Sequence, residues 1–290
     1  LTKDAGDYEA GVFDIRSGKM RPTALTKMIK SLSNHSGFEH PVLEHAGWWE
    51  RDCRILYPKD HPRTEFDLKC SQPILILGKT GTLGKAFARV CESRAIYYHL
   101  LGREDISLSE PDDVRRVVQE LKPWAIVNAA GFVRVDDAET DNEACFLSNA
   151  RVPEILARVC QEEGVKLLTF SSDLVFDGSK RSYVESDEVA PLNIYGKSKV
   201  LAENAVLANN ENALVIRTSA FFGPWDIYNF VIAALQSFKD NRRFVAADNV
   251  FISPTYVPDL VNNSLDLMLD DAYGVWHISN TGEVSWASLA

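Results

Sequence analysis

Tyr195 and Lys199 have the residue types and the spacing for proton transfer. They stand four residues apart in Tyr195-Gly196-Lys197-Ser198-Lys199, and side chains at positions i and i+4 share one face of a helix. A lysine ammonium beside a tyrosine can lower the pKa of the phenol from about 10, so that it exchanges a proton near neutral pH. The same pair is common on solvated helices, and its meaning therefore depends on the residues around it.

Small and polar residues close two apolar runs of the same region. Phe170-Ser171-Ser172-Asp173 ends the run that begins at Val165, and Asn128-Ala129-Ala130-Gly131 ends the run that begins at Trp124. Ligands of open parallel sheets bind outside the carboxyl ends of the strands. We therefore expect the Ser172 hydroxyl to hold a substrate carbonyl and the small residues to admit a cofactor. The alternative for the two serines is a turn whose hydroxyls cap the backbone.

A glycine-rich turn gives these residues their context. Ile74-Leu75-Ile76-Leu77 is typical of a strand buried on both faces, and Gly78-Lys79-Thr80-Gly81-Thr82-Leu83-Gly84 leads from it into a helix. Such glycines let the backbone approach a pyrophosphate, which the N–H groups and the positive dipole of the helix N-terminus attract. The pattern predicts a dinucleotide site, and the alternative is a glycine turn in another kind of βα unit.

Alternating strands and helices must position these residues. The predicted strands are Ile74–Leu77, Ile96–Leu101, Trp124–Asn128, Val165–Phe170 and Ala213–Arg217, and the predicted helices between them are Lys85–Glu92, Pro111–Leu121, Asp141–Glu163 and Ile194–Ala208. Repeated βα units with apolar strands predict an α/β fold, a Rossmann-like doubly wound parallel sheet that is covered on both faces. The alternation loosens after Arg217, which predicts a small C-terminal substrate-binding lobe, mainly within residues 219–290.

Composition narrows the class of protein. A net charge of -10 argues against a nucleic-acid partner, which would need a basic surface. The chain has no apolar run long enough to span a membrane, and its five cysteines form no CxxC pair, which favours reduced thiols in a cytoplasmic protein. The six histidines lack the spacing of known metal ligands, so we expect no metal site.

Together these motifs resemble the extended short-chain dehydrogenases/reductases and, within that group, the dTDP-4-dehydrorhamnose reductase family. The resemblance covers residues 72–290. The stretches that carry it are Gly78–Gly84, Val127–Gly131, Val135–Glu139, Ser171–Gly178, Pro191–Lys199, Arg217–Ser219, Asn229–Phe230 and Ser253–Thr255.

The resemblance implies an NADP-dependent reductase of a 4-keto group on a nucleotide-linked deoxysugar, in nucleotide-sugar and polysaccharide biosynthesis. It implies that Tyr195 donates the proton, that Lys199 is its partner and a ribose ligand, and that Ser172 hydrogen-bonds the carbonyl. The implied cofactor contacts are Gly78, Lys79, Thr80, Gly81, Thr82, Leu83, Gly84, Arg103, Asp105, Ile106, Asn128, Ala129, Ala130, Gly131, Tyr195 and Lys199. The implied substrate contacts are Ser172, Asp173, Leu174, Tyr195 and Ala220.

Four departures from the family pattern leave the sugar open. Leu174 and Ala220 stand where the family usually has aromatic residues, Val133 replaces a threonine near the nicotinamide, and Ala86 replaces an acidic residue that joins a metal site in some members. Two other functions therefore remain open. One is a non-catalytic NADP-binding regulatory subunit, similar to that of methionine adenosyltransferase, and the other is another extended-family sugar-nucleotide epimerase or reductase. A homodimer is compatible with either.

The choice between NADPH and NADH depends on the end of the second predicted strand. NAD-selective sites carry a carboxylate there, which holds the ribose 2′-OH. Gly102 and Arg103 follow this strand, so the sequence offers no carboxylate at its end and an arginine that can meet a 2′-phosphate. Glu104 and Asp105 come next and oppose this role. We expect a preference of about tenfold or more for NADPH, with NAD as the alternative cofactor.

Residues 1–70 differ from the rest of the chain. They carry scattered aromatic residues and one predicted helix, Arg21–Leu32, with Pro22 in its first turn. The stretches Gly11–Asp14 and Arg21–Ala24 faintly resemble the end of a β-glucosidase-type glycosidase barrel. We expect residues 1–70 to be an N-terminal extension, the tail of an upstream glycosidase-like domain, that packs partly on the NAD(P)-binding reductase domain of residues 71–290. Because the chain starts at Leu1 and stops as a helix begins, we expect both ends to be cuts in a longer protein.

Overall fold

The computed structural model describes residues 11–15, 19–44, 72–223, 226 and 229–290. Within these residues the strands are β1 Phe13–Asp14, β2 Arg21–Pro22, β3 Ile74–Leu77, β4 Tyr98–Leu101, β5 Ala125–Asn128, β6 Lys166–Ser172, β7 Leu214–Thr218, β8 Phe221–Phe222, β9 Phe251–Ile252, β10 Thr255–Tyr256, β11 Gly274–His277 and β12 Val284–Ser285. The α-helices are α1 Ala24–Ser33, α2 Thr82–Arg94, α3 Pro111–Leu121, α4 Asn142–Phe146, α5 Val152–Glu163, α6 Ile194–Asn209, α7 Phe230–Lys239, α8 Val257–Leu269 and α9 Trp286–Leu289. A π-helix, Leu147–Arg151, joins α4 to α5.

Six parallel strands form the central sheet in the order β11-β7-β6-β5-β3-β4. The chain moves outward from β3 to β4 and then returns to the other side of β3 to form β5, so the connections diverge between β3 and β5. Such a switch point opens a crevice at the carboxyl ends of the two strands. The predicted α/β fold with a parallel sheet is confirmed, and the crevice lies where Gly78 and Ala129 follow their strands.

Apolar side chains on both faces explain why this sheet is central. All four residues of β3 and of β5 are buried, as are all five of β7. One face packs against α2 and α8, where Phe87 is fully buried, and the other packs against α3, α5 and α6. Burial on two faces requires continuous apolar strands rather than alternating ones, which the sequence supplies. Among the described residues, no helix is both long and apolar enough to cross a membrane.

The C-terminal region divides between the central sheet and a set of short elements. Helix α8 packs on α2, and β11 extends the central sheet beside β7, so part of residues 219–290 belongs to the core and not to the expected lobe. The remaining strands are two residues long: β8 pairs with β10 and β9 pairs with β12. Aromatic contacts hold this part together, with the Phe230 and Trp286 rings 4.5 Å apart between centroids.

The described part of residues 1–70 corrects one prediction. The helix expected from Arg21 to Leu32 begins at Ala24 and ends at Ser33. Pro22 lies in β2, which pairs antiparallel with β1, and this pairing keeps the backbone extended as far as Thr23. The Thr23 hydroxyl donates to the Gly11 carbonyl oxygen at 2.6 Å and makes no cap hydrogen bond to the helix.

This N-terminal part contacts the rest of the protein through charged groups. Arg21 forms ion pairs with Asp14 at 2.8 Å and with Asp270, after α8, at 2.5 Å. Asp270 also accepts from the Ala24 backbone N–H at 2.6 Å, and the rings of His40 and Trp124 pack edge to face. These contacts join the described residues of this part to the rest of the protein, and the packing expected for residues 1–70 stays a prediction. The aromatic residues Tyr8, Trp48, Trp49 and Tyr57 of the same prediction lie outside the described residues.

Candidate active site

The glycine turn is shaped by the backbone that surrounds it. Gly78 has a φ of +109°, and a Cβ there would lie 2.8 Å from the carbonyl oxygen of Ala129. A Cβ on Gly84 would lie 2.1 Å from the carbonyl oxygen of Gly78, whereas one on Gly81 would stay at 3.4 Å. Only the first and third glycines are therefore required by packing. No side chain caps the first turn of α2, so its N–H groups remain available to an anion.

The end of β5 closes the other side of the crevice. The Asn128 side chain is buried, donates to the Thr169 hydroxyl at 3.2 Å and accepts from the Ala130 N–H at 3.3 Å. The Ala129 N–H donates to the Leu77 carbonyl at 3.0 Å, which joins the ends of β5 and β3. The small residues expected to admit a cofactor therefore lie directly beside the glycine turn.

Ser172 is the last residue of β6, at the same edge of the sheet. Its Oγ donates to Asp173 Oδ1 at 2.9 Å and accepts from the Leu174 N–H at 3.1 Å. Asp173 Oδ2 accepts from the Ser219 hydroxyl at 2.5 Å. These bonds orient the Ser172 hydroxyl, and a carbonyl that binds to it must compete with Asp173 for its proton.

Helix α6 brings Tyr195 towards Ser172. The Asn193 side chain caps the helix by accepting from the Gly196 N–H at 2.7 Å. A Cβ on Gly196 would lie 2.1 Å from the Leu174 carbonyl oxygen, so the first turn of α6 packs directly on the segment that follows Ser172. The absence of a side chain at this one position is what allows the two elements to approach.

The pKa of Tyr195 shifts in the opposite direction from the one predicted. Burial, followed by the charge of Asp173, raises the pKa of the phenol above its usual value. The Lys199 ammonium, which lies over the Tyr195 ring, 5.5 Å from the centroid, and donates to the Phe170 carbonyl at 3.2 Å, does not outweigh these two effects. Tyr195 therefore keeps its proton at neutral pH, and no described residue hydrogen-bonds to its hydroxyl.

Lys199 is a buried cation beside Tyr195. Burial lowers the pKa of its ammonium to about 8, because an apolar environment disfavours the charged form. The group is therefore still mostly charged near pH 7, and it loses its proton about two pH units below an ordinary lysine.

Two positioning contacts were not anticipated from the sequence. Asn149, in the π-helix, is buried and exchanges two hydrogen bonds with the Phe132 backbone, at 2.8 and 3.0 Å, and donates to Ser198 of α6 at 3.2 Å. Arg217 of β7 makes a buried bidentate ion pair with Glu203 of α6, at 2.8 and 2.6 Å. Both tie α6 to the sheet edge. No local pattern marks Asn149, because Ser148 and Arg151 beside it are polar as well.

The turn after β4 corrects the prediction for the end of that strand. The N–H groups of Asp105 and Ile106 both donate to the Gly102 carbonyl, at 3.1 and 3.3 Å, and Ile106 is buried. This tight turn folds Glu104 back, so that a Cβ on Gly102 would lie 2.5 Å from Glu104 Oε2. The strand end therefore does have a carboxylate. Glu104 also pairs with Lys79 at 2.9 Å, whereas Arg103 is exposed and has no ion-pair partner among the described residues.

The expected substrate residues are more loosely arranged. Leu174 is half-buried beside the start of α6, and Val133 is 71% exposed. Ala220 lines a small cavity of about 80 Å³ together with Phe222, Asn229, Phe230 and Trp286, among others. A larger hollow of about 500 Å³ lies between α6 and the segment formed by α4, the π-helix and the start of α5, and it contains none of the expected site residues. The described residues include no cluster of acidic, histidine or cysteine side chains arranged for a metal ion.

Comparison with known proteins identifies the family to which the chain belongs. Residues 72–290 match the family described as the RmlD substrate binding domain. The chain is 31% identical over 229 residues to dTDP-4-dehydrorhamnose reductase of Burkholderia thailandensis, covering 75% of this chain and 76% of the relative. It is 31% identical over 218 residues to dTDP-4-keto-6-deoxy-D-glucose reductase of Streptomyces niveus, and the match covers 74% of this chain and 75% of that relative.

A solved structure shows the same similarity. The crystal structure of dTDP-4-dehydrorhamnose reductase from Bacillus anthracis, in complex with NADP, superposes with a TM-score of 0.71 at 31% identity and covers 74% of this chain and 77% of that one. A structure of UDP-glucose 4-epimerase from Thermus thermophilus superposes with a TM-score of 0.66 at 17% identity, which reflects the shared fold.

Proposed function

The chain belongs to the family described as the RmlD substrate binding domain, and on that premise we propose that it is an NADP-dependent oxidoreductase. It reduces a 4-keto group on a nucleotide-linked deoxysugar, the reaction type that its dTDP-4-dehydrorhamnose reductase relatives are named for. The observation that supports this most is the meeting of the ends of β3, β5 and β6 with the first turn of α6. The resemblance drawn from the sequence motifs is confirmed at the level of the family.

The glycine turn fits a dinucleotide. A Cβ on Gly78 or Gly84 would overlap the surrounding backbone, and the N–H groups of the first turn of α2 have no side-chain cap. We assign the pyrophosphate to residues 78–84, the adenosine side to Arg103, Asp105 and Ile106, and the nicotinamide side to residues 128–131 with Tyr195 and Lys199. When bound, the reduced cofactor supplies the hydride.

Tyr195 acts as the proton donor in this proposal. Burial and Asp173 raise the pKa of its phenol, so the hydroxyl stays protonated until a carbonyl oxygen gains negative charge. The Ser172 hydroxyl donates to the same oxygen after leaving Asp173, and the Lys199 charge, 5.5 Å from the Tyr195 ring centroid, stabilises the phenolate that remains. A positioned general acid typically contributes about 10²–10⁴-fold to the rate.

The domain boundaries and the location of the protein belong to the same proposal. We take residues 71–290 as the reductase unit and residues 1–70 as an extension that rests on it through Arg21 and Asp270. Cys91, Cys145 and Cys160 are buried free thiols, which is in keeping with a reducing, cytoplasmic location.

The test is an assay of NADPH oxidation with a panel of nucleotide-linked 4-ketosugars. We expect turnover with at least one dTDP-linked sugar and a fall in kcat of about 10²–10⁴-fold in Tyr195→Phe, with cofactor affinity little changed. Tyr273→Phe is the matched control, because this tyrosine is exposed and lies outside the site. Tight cofactor binding without turnover on any sugar would contradict the reductase and favour the regulatory subunit.

A further inference from the structure

Glu104 and Asp105 are adjacent carboxylates, and only the Glu104 side chain is free to change its contacts. Asp105 Oδ2 accepts from the Gly102 N–H at 2.8 Å, within the turn that the buried Ile106 anchors. Asp105 is therefore committed to the turn itself. The Glu104 side chain is 61% exposed, and its contacts to Lys79 are the kind of exposed ion pair that rearranges at little cost.

The position of the Glu104 carboxylate bears more on cofactor recognition than its exposure does. It lies against Gly102, the first residue after β4, at the place that a side chain on Gly102 would occupy. In NAD-selective sites, the acidic residue at this strand end accepts a hydrogen bond from the ribose 2′-OH. Glu104 therefore supplies, from two residues further along the chain, a carboxylate that the sequence omits at the strand end.

The same carboxylate holds a cation of the glycine turn. Lys79 Nζ lies 2.9 Å from Glu104 Oε1 and 3.5 Å from Asp105 Oδ2. Glu104 is the main cause of the raised pKa of Lys79, so the lysine is charged and engaged. A cofactor 2′-phosphate at this strand end needs cations to bind it. The cation that it meets there, Lys79, is already paired with Glu104.

We propose, resting on the proposed function, that Glu104 is the residue that sets discrimination between NADH and NADPH. With NADH, its carboxylate accepts from the ribose 2′-OH and remains on Lys79. With NADPH, it has to leave Lys79, which then meets the 2′-phosphate together with Arg103. Arg103 favours NADPH, as the sequence predicts, and Glu104 reduces that preference.

The experiment compares the dissociation constants of NADH and NADPH by isothermal titration calorimetry, without any sugar present. Glu104→Gln keeps the shape of the side chain and removes its charge. We expect this substitution to tighten NADPH binding and weaken NADH binding, which changes the ratio of the two dissociation constants by about tenfold. Glu120→Gln is the matched control, because Glu120 is an exposed carboxylate paired with Arg116 on α3, and the ratio stays unchanged.

A double-mutant cycle tests whether Glu104 acts through Lys79. In the Lys79→Met background, Glu104→Gln should change NADPH affinity less than it does in the unmodified protein. An unchanged ratio in Glu104→Gln, while the unmodified protein binds both cofactors, overturns the proposal for Glu104 and leaves the proposed reductase intact. If the unmodified protein binds neither cofactor, both proposals fall together.

Discussion

The cofactor half of the molecule and the C-terminal lobe are built in different ways. In the first, β3, β5 and β7 are buried along their whole length, and the glycine turn is fixed by backbone atoms of neighbouring strands. In the lobe, β8, β9, β10 and β12 contain two residues each, and Val245 and Phe251 are 77% and 64% exposed.

We expect the first region to carry most of the stability and the lobe to carry most of the substrate specificity. A crevice lined by backbone atoms tolerates few substitutions, because an added side-chain atom would overlap backbone that cannot move aside. The lobe depends on a few side-chain contacts, such as that between Phe230 and Trp286, and can change its lining without disturbing the sheet. We expect substitutions in the first half to affect folding and substitutions in the lobe to affect which sugar binds.

The largest expected effect is at Gly84. In Gly84→Ala the new Cβ would meet the Gly78 carbonyl oxygen, which is backbone and cannot turn aside, so we expect a loss of about 3 kcal/mol or more in the free energy of unfolding. Gly81→Ala is the matched control and should lose no more than about 1 kcal/mol. Urea unfolding of both variants measures the difference. Equal losses would mean that the turn is not fixed by its backbone contacts.

A smaller, pH-dependent effect is expected at Lys199. Its pKa is about 8 in the folded protein and about 10.4 when unfolded, so between these values the unfolded chain binds more protons and stability rises with pH. Relative to Lys199→Met, the free energy of unfolding of the unmodified protein should rise by up to about 2 kcal/mol between pH 8 and pH 9.5. Urea unfolding at both pH values measures this gain. A difference that stays constant across this window would refute the burial of a charged lysine.

The smallest effect is expected in the lobe. Phe251→Ser replaces an exposed side chain of β9 and should change the free energy of unfolding by no more than about 0.5 kcal/mol. The matched substitution in the other half, Phe87→Ser, empties a fully buried position and should cost about 3 kcal/mol or more. Thermal unfolding followed by circular dichroism compares them, and similar losses would remove the distinction between the two halves.

The same division explains what could be predicted from the sequence. Ile74–Leu77 was predicted with its observed bounds, and the strands ending near Asn128 and Arg217 were predicted to within a residue or two, because strands buried on both faces leave continuous apolar runs. The edge strand β11 was not predicted. Its four residues are only half-buried, and they include glycine, tryptophan and histidine rather than an apolar run.

The residues of the candidate site were proposed from the sequence and their roles stay predictions, whereas the electrostatics of the site were not anticipated. Ser172, Tyr195 and Lys199 follow from their positions on strand and helix, whereas the raised pKa of Tyr195 depends on burial that no local pattern records. Glu104 was expected to oppose the role of Arg103, but its position at the end of β4 was not predicted, because it depends on a turn held by hydrogen bonds to Gly102. Tertiary contacts of this kind leave little local signal.

The ion pair between Arg21 and Asp270 also has a consequence for the order of folding. The two residues are separated by 249 positions, so bringing them together early would close a very long loop at a large cost in chain entropy. The βα units of the sheet connect partners that are much nearer in sequence, and such contacts form faster. We therefore expect the described N-terminal residues to dock after the sheet has assembled and to detach early when the protein unfolds.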